Sequence, residues 1–341
     1  MGKMRMTGPI VCFGELLLRL TAPGRELLLQ SGRLDVHVGG AEANVAIGLA
    51  CLDHSTAMVS VVPDNPLGRG AVAALRAQGV NCSGVRTRAG RMGLYFLSPG
   101  AGLRASDIVY DRAGSAFADL PGDSFDWDSL LSGAARLHLS GITPALGPAT
   151  ARAAIAAAEA ARRLGVPVSF DGNYRARLWE TWDSDPRAVL TRLVGLADLL
   201  FGNHRDISLL LGHDFSGDGA DRRCEAAQAA FDAFPSLHRI ASTARHVEDA
   251  DRHRIAARLD TRDRGFQSEE VTVAGIVDRI GGGDAFATGI LHGIHSGQSV
   301  EETVRSGLAL ACLKHSLPGD ASLFRRADIE AFLDGGLDVR R

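Results

Sequence analysis

Short apolar runs alternate with longer helix-patterned stretches along most of the chain, and this alternation constrains the fold more than any other feature. "IVCF" (10–13) and "AMVSVV" (57–62) read as buried strands, with a helix over 42–52 between them. Pro66 opens a helix with Leu67, Ala71, Ala74 and Leu75 on one face, and Gly79 closes it. "ARLHLSG" (135–141) is the next strand. An alanine-rich helix then runs from Pro148 to Gly165, and strand "VPVSFD" (166–171) follows. A helix from Pro186, strand "DLLFGN" (198–203), helices over 204–211 and 221–234, and strand "HRIAST" (238–243) continue the pattern. Repeated strand-then-helix units predict an α/β fold, a doubly wound, mostly parallel sheet with helices on both faces.

Two segments break the rhythm. Residues 14–38 contain "ELLLRL" and "LDVHV", and residues 92–112 contain "MGLYFLS" and "DIVYDR". They read as strands without intervening helices, so a small antiparallel flap or lid outside the main sheet is expected. No repeat, low-complexity tract or long linker divides the chain, which predicts one domain over 1–341 with the lid inserted.

Composition narrows the function. The net charge of −3 gives no basis for a polyanion-binding surface, so nucleic acid is not expected as a partner. Only Lys3 and Lys314 are lysines among 37 lysine and arginine residues, so anionic ligands would be met by guanidinium groups, which grip carboxylates bidentately. Five scattered cysteines lack metal-binding spacing and suggest reduced thiols and a cytoplasmic setting. The stretch "MGKMRMTGPIVCFGELL" carries no apolar run long enough for a signal peptide or a membrane span, so no membrane association is expected.

The chemistry concentrates in "DRIGGGDAFATG" (278–289). A glycine turn before a helix leaves backbone N–H groups pointing one way, with the helix dipole behind them, which suits a phosphate. Gly281, Gly282 and Gly283 permit close approach, and Asp284 sits at the helix start. A carboxylate beside an anion site makes chemical sense if it removes a proton from an attacking hydroxyl, as in phosphoryl transfer to an alcohol. The plainer alternative is a helix cap. There is no G-x-x-x-x-G-K-[ST] loop, and no G-x-G-x-x-G follows the first strand.

These residues resemble the ribokinase-like (PfkB) carbohydrate kinases. "DRIGGGDAFATG" is similar to their C-terminal signature D-T-x-G-A-G-D-x-F, "VGGAEANVAIGLACL" (38–52) to their N-terminal Gly-Gly and Asn, and "NHRD" (203–206) to their N-x-x-E. Within the family, "GELLLRL", "GLYFL", "DIVYDRAGSA", "LHLSGITPAL", "SFDGNYRARLW" and "PGD" (318–320) are most similar to 2-keto-3-deoxygluconate kinases.

The resemblance implies a Mg·ATP-dependent kinase that phosphorylates a sugar acid, with Asp284 as base and Gly281 to Gly283 as anion hole. Gly40, Asn44, Tyr95, Tyr110, Arg112 and Arg175 would contact the acceptor, Arg175 through its carboxylate. Asn203, Thr243, Gly281 and Gly283 would meet ATP, and Asn203 and Asp206 would hold Mg²⁺ through water. A monovalent cation such as K⁺ near Asp278 and Ile280, and a homodimer through the lid, are also implied. His138 and His315 read as structural.

Two departures stand out. Asp206 replaces the usual Glu, and "STARHVEDADRHR" (242–254) keeps Thr243 but lacks the family's glycines in the loop that meets ATP. Fructose, tagatose and 2-keto-3-deoxygalactonate kinases are alternatives. A catalytically silent sugar-binding sensor and a nicotinamide dehydrogenase are rivals from other classes.

Overall fold

The computed structural model describes residues 8–121 and 124–335; Lys3 and the first residues of the N-terminal stretch lie outside them. Fourteen strands form two sheets among the described residues. In chain order they are β1 (Ile10–Phe13), β2 (Leu17–Thr21), β3 (Asp35–Gly39), β4 (Thr56–Pro63), β5 (Asn81–Arg88), β6 (Gly93–Ser98), β7 (Asp107–Asp111), β8 (Arg136–Ser140), β9 (Val168–Asp171), β10 (Leu199–Phe201), β11 (Arg239–Asp249), β12 (Arg252–Thr261), β13 (Gly265–Gln267) and β14 (Val271–Ala274).

The main sheet has the order β13-β12-β11-β10-β9-β8-β1-β4-β5, with β14 also on β12. From β5 to β11 every pairing is parallel, and β12 turns the far edge antiparallel. Successive side chains of a strand point to opposite faces, and β1 shows the result. Val11 and Phe13 join the core beneath the alanine-rich helix Pro148–Arg163, while Ile10 and Cys12 join the core on the other face with Leu49 and Ile290. The fully buried alanines of that helix, such as Ala153, Ala154 and Ala157, let its backbone lie close to the sheet.

The second sheet, β3-β2-β6-β7, is the expected lid. It is mixed and not purely antiparallel, because β2 and β6 run parallel, Leu17 opposite Gly93. Two strands come from each inserted segment, so the central pair cannot be a hairpin.

A larger correction concerns 242–254, read from sequence as a loop. Those residues belong to a β-hairpin: β11 and β12 stay paired from Arg239↔Thr261 out to Asp249↔Arg252. β10 pairs only with residues 239–241, so the outer part of the hairpin projects past the parallel sheet. Its tip meets the lid, where Ala250 N donates to Gly102 O at 2.8 Å and Arg25 pairs with Asp251 at 2.9 Å. Alternating charged and small residues, not glycines, are what a two-stranded ribbon with one wet face requires.

Candidate active site

The C-terminal ends of parallel strands are where open α/β sheets hold ligands. Here β1, β8, β9, β10 and β11 all point those ends toward a cleft of about 1030 Å³. Tyr95, Tyr110 and Arg112 of the lid line one wall, and Thr243 and Arg245 of the hairpin line another. The turn 279–284, Asp171 and the segment 202–206 form the floor.

The glycine turn is built as the sequence suggests. Gly281 has φ of +77° and caps the helix Gly282–His295. An added Cβ there would overlap the carbonyl oxygen of Asp320, so no other residue fits. At Gly283 an added Cβ would meet nothing, which leaves that side of the helix N-terminus open. Gly40, with φ of +141°, is held against the Glu15 carbonyl in the same way and lets the helix Ala41–Cys51 start inside the cleft.

That helix delivers Asn44, whose Nδ2 donates to Asp284 Oδ2 at 2.6 Å. Asn44 Oδ1 is buried without a partner. Burial pushes the Asp284 carboxyl up to about 7; the Asn44 hydrogen bond opposes this, and Asp320 and Glu42 add to it. Asp171, at the end of β9, is raised to about 8 by burial and then by the charges of Asp284 and Asp206. Glu42 is wholly buried, accepting from Ser140 N at 3.0 Å, Ser140 Oγ at 2.7 Å and Thr143 Oγ1 at 2.9 Å. Among the described residues, no group of three or more His, Cys, Asp or Glu could hold a metal ion by itself.

Of the residues expected to meet the acceptor, some are already committed to protein partners. The Arg112 Nε donates to Glu15 Oε2 at 2.8 Å, and Ser115 Oγ donates to Glu15 Oε1 at 2.5 Å. Tyr95 donates to Asp320 Oδ2 at 2.6 Å. Tyr110 is half exposed at the cleft mouth, tilted against Tyr95. Arg175 is different. It is exposed to the cleft, and its guanidinium donates to the neighbouring Tyr174 carbonyl at 3.0 Å.

Asn203 and Asp206 form a capping box on the helix His204–Leu211. Asn203 Oδ1 accepts from Arg205 N at 2.9 Å, and Asp206 Oδ2 accepts from Asn203 N at 2.8 Å. The two residues therefore lock one another. His138 is buried and bonded to Ser169 Oγ at 3.0 Å, as a structural residue would be. His315, expected to be structural as well, lines the cleft; its Nδ1 meets Ala311 O at 2.7 Å, and its buried Nε2 has no partner.

Several contributors escaped the sequence reading. Asp171 ends "VPVSFD", and an acid at the C-terminal end of a predicted strand was the available signal. Arg279 stands where the compared signature has Thr, and no local pattern showed that it shares the cleft with Arg245 and Arg175. Burial, then the charges of Arg279 and Arg175, pull the Arg245 guanidinium below its ordinary pKa. Among the described residues none of the three forms an ion pair with a carboxylate, although the charge of Arg175 draws down the Asp171, Asp206 and Asp284 carboxyls, so the cleft holds guanidinium groups available to an anion.

An anion-binding helix start, an acid poised near neutrality and unpaired arginines can together move a phosphoryl group. Comparison with known proteins gives the same class. The profile of the pfkB family carbohydrate kinases matches residues 8–324. The chain belongs to that family. It is 32% identical to the 2-dehydro-3-deoxygalactonokinase of Haloferax volcanii, over 97% of this chain and 98% of that one. A 2-dehydro-3-deoxygluconokinase structure from Thermotoga maritima superimposes with a TM-score of 0.91 at 34% identity, covering 96% and 98% of the two chains. A PfkB family carbohydrate kinase from Listeria grayi gives 0.89 at 37% identity, covering 96% and 99%. The protein is a sugar kinase, and its lid sheet and mostly parallel core are those of its structural neighbours. No helix of the kinase among the described residues is long and apolar enough to cross a membrane.

Proposed function

We propose that this kinase transfers the γ-phosphoryl group of Mg·ATP to the C6 hydroxyl of 2-keto-3-deoxygluconate. The observation that carries the acceptor class is Arg175. It is an exposed guanidinium in the same cleft as Asp284, without a carboxylate of its own, and it can hold a substrate carboxylate with two parallel hydrogen bonds.

Asp284 takes the proton from the attacking hydroxyl as general base, held in position by Asn44. The unpartnered Asn44 Oδ1 is free to accept from an acceptor hydroxyl. The Gly283 end of the helix is open to the transferred group, the Gly282 N–H donates to Arg279 O within the turn at 3.3 Å, and Gly281 shapes that turn. Tyr95, Tyr110 and Arg112 border the acceptor space, with Arg112 acting mainly by fixing Glu15 below Gly40. Thr243, Asn203 and the adjacent hairpin backbone border the nucleotide.

The charge of Asp206 raises the Asp171 carboxyl, and both acids line the cleft beside Asn203, so the donor set fits a Mg²⁺ held through water and phosphate. When bound, that ion would neutralise charge on the phosphates. The lid carries exposed apolar residues on β3 and β7, Val36 and Val109, which supports a dimer through the lid, testable by sedimentation.

A second reading, the C4 epimer 2-keto-3-deoxygalactonate as acceptor, is favoured by the name of the Haloferax volcanii relative. Purified protein with ATP and a panel of both epimers, fructose and tagatose separates these readings. Preference for the neutral ketoses would overturn the sugar-acid proposal.

A further inference from the structure

The family resemblance implies a monovalent cation beside Asp278 and Ile280, and the residues around that turn can be tested for room and charge. Asp278 is already fully engaged. Its Oδ1 accepts from Ile280 N at 2.9 Å, and its Oδ2 accepts from Arg19 Nη2 at 2.6 Å and from Gly319 N at 3.1 Å. Arg19, reaching in from β2, is 0% exposed and also pairs with Asp320 at 3.0 Å. Burial works against its charge, yet Asp320 and Asp278 outweigh that and raise its pKa.

A second cation lies in the same region. Lys314, the only lysine among the described residues, is 0% exposed. Its Nζ donates to Leu317 O at 3.0 Å. Leu317 belongs to the turn that also carries Gly319 and Asp320. On the other side of Lys314, His315 O accepts from Val277 N at 2.8 Å and Asp278 N at 3.2 Å. The lysine therefore ends a helix (Val300–Lys314) at the point where the 277–280 turn and the 317–320 turn are stitched together. Both turns position the anion hole, because Gly281 rests against the Asp320 carbonyl.

The charge balance is decisive. Half-buried Asp278 and buried Asp320 are both paired with the buried Arg19, and the buried ammonium of Lys314 adds a second positive charge that both carboxylates influence. Burial lowers the Lys314 pKa from its ordinary value, and the charge of Asp278 is the largest influence opposing it. A K⁺ ion added here would place a third cation beside two carboxylates in a low-dielectric interior, where uncompensated charge is costly. The residues present do not fit an alkali-metal ion.

We propose that the ammonium group of Lys314, bonded to the 317–320 turn under the anion hole, is a built-in replacement for the monovalent cation and makes the kinase independent of K⁺. This goes beyond the acceptor assignment and needs only that the protein is a carbohydrate kinase. Lys314 is a positioning residue and touches no reacting atom.

The test compares KCl with choline chloride at equal ionic strength, reading both thermal melting without substrates and ADP formation with whichever acceptor the panel selects. For the wild type, melting temperature and turnover should be the same in the two salts. Lys314→Met keeps the aliphatic stem and removes the charge. It should melt lower and turn over at least about tenfold more slowly in choline, and KCl should restore part of both, since an ion that binds only the folded state stabilises it. A wild type activated more than about threefold by KCl over choline would overturn the proposal, because a bound ion would then be shifting its active population. So would a Lys314→Met enzyme as stable and active as wild type in choline, or one that KCl leaves unrestored. Should Lys314→Met fail to fold, the wild-type salt comparison decides alone. The melting arm uses no acceptor, so a wrong acceptor assignment cannot be mistaken for failure here.

Discussion

Two sets of arginines stand in and beside the same cleft under opposite conditions. Under the lid, Arg19 and Arg112 are buried, and each is met by a carboxylate: Asp278 and Asp320 for one, Glu15 for the other. Across the cleft, Arg175, Arg245 and Arg279 share the wall and floor, and among the described residues none is ion-paired with an acid. The first set has its counter-charge within the chain. The second has surplus positive charge whose counter-charge a ligand can supply. A buried pair is destabilising to break and neutral to leave alone, whereas an unpaired exposed cation can bind an anion without first losing a partner. Paired arginines should therefore report on stability, and unpaired ones on substrate.

The largest expected effect belongs to the acid between the two sets. Asp284→Asn should lose turnover by at least about 10²-fold while keeping its fold and ATP binding. Near-normal steady-state turnover by the folded variant would remove Asp284 from the chemistry. Arg112→Met should then mark the paired side. Removing one partner leaves Glu15 buried and uncompensated, at a cost of about 3–5 kcal/mol of stability. Urea unfolding measures it; a change below about 1 kcal/mol would end the claim that the lid side is held by its ion pairs.

On the unpaired side, Arg175→Ala should raise the KM of a sugar acid by the equivalent of roughly 1.5–3 kcal/mol, with the KM for ATP and the melting temperature little changed. Arg175→Lys should recover only part of the loss. The telling quantity is acid over neutral acceptor activity, and an unchanged ratio means that Arg175 does not read the carboxylate. Arg245→Met should leave stability within about 0.5 kcal/mol, since it breaks no pair and relieves repulsion from Arg279. Its effect should appear in the KM for ATP, and a loss of stability without that change would place Arg245 with the paired set.

The smallest effect is in pH dependence. The folded pKa of Asp284, about 7, lies above its usual 3.8. The folded protein therefore holds a proton that the unfolded chain releases. This contribution to stability is full below about pH 4 and is lost as pH rises through about 7. Asp284→Asn should accordingly melt higher than wild type at pH 8, and the gain should vanish toward pH 4. For the wild type, kcat/KM should climb through about pH 7 as the base loses its proton. A flat rate profile, or a gain in melting temperature that grows toward acid, would contradict the assignment.

The β/α order, the lid segments and the glycine turn with Asp284 were legible because each is a local property. Periodicity sets which face a strand or helix buries, and proline and glycine mark where helices begin and end. The sequence also put Arg175 past the end of β9, where a ligand would lie. What it could not show was partnership. Arg19 and Asp278 are 259 positions apart, and Asn44 and Asp284 are 240 apart, so no window of the chain contains either pair. Nor could it separate a glycine-free loop from the β11–β12 ribbon, because cross-strand pairing depends on a partner strand and on burial rather than on intrinsic preference. Whether an arginine is a brace or a hand held out to a ligand depends on the field of charges around it, and folding alone assembles that field. The same holds for Lys314: its residue type was plain from the start, but its place near two carboxylates and another cation exists only where β2, the 277–280 turn and the end of its own helix meet.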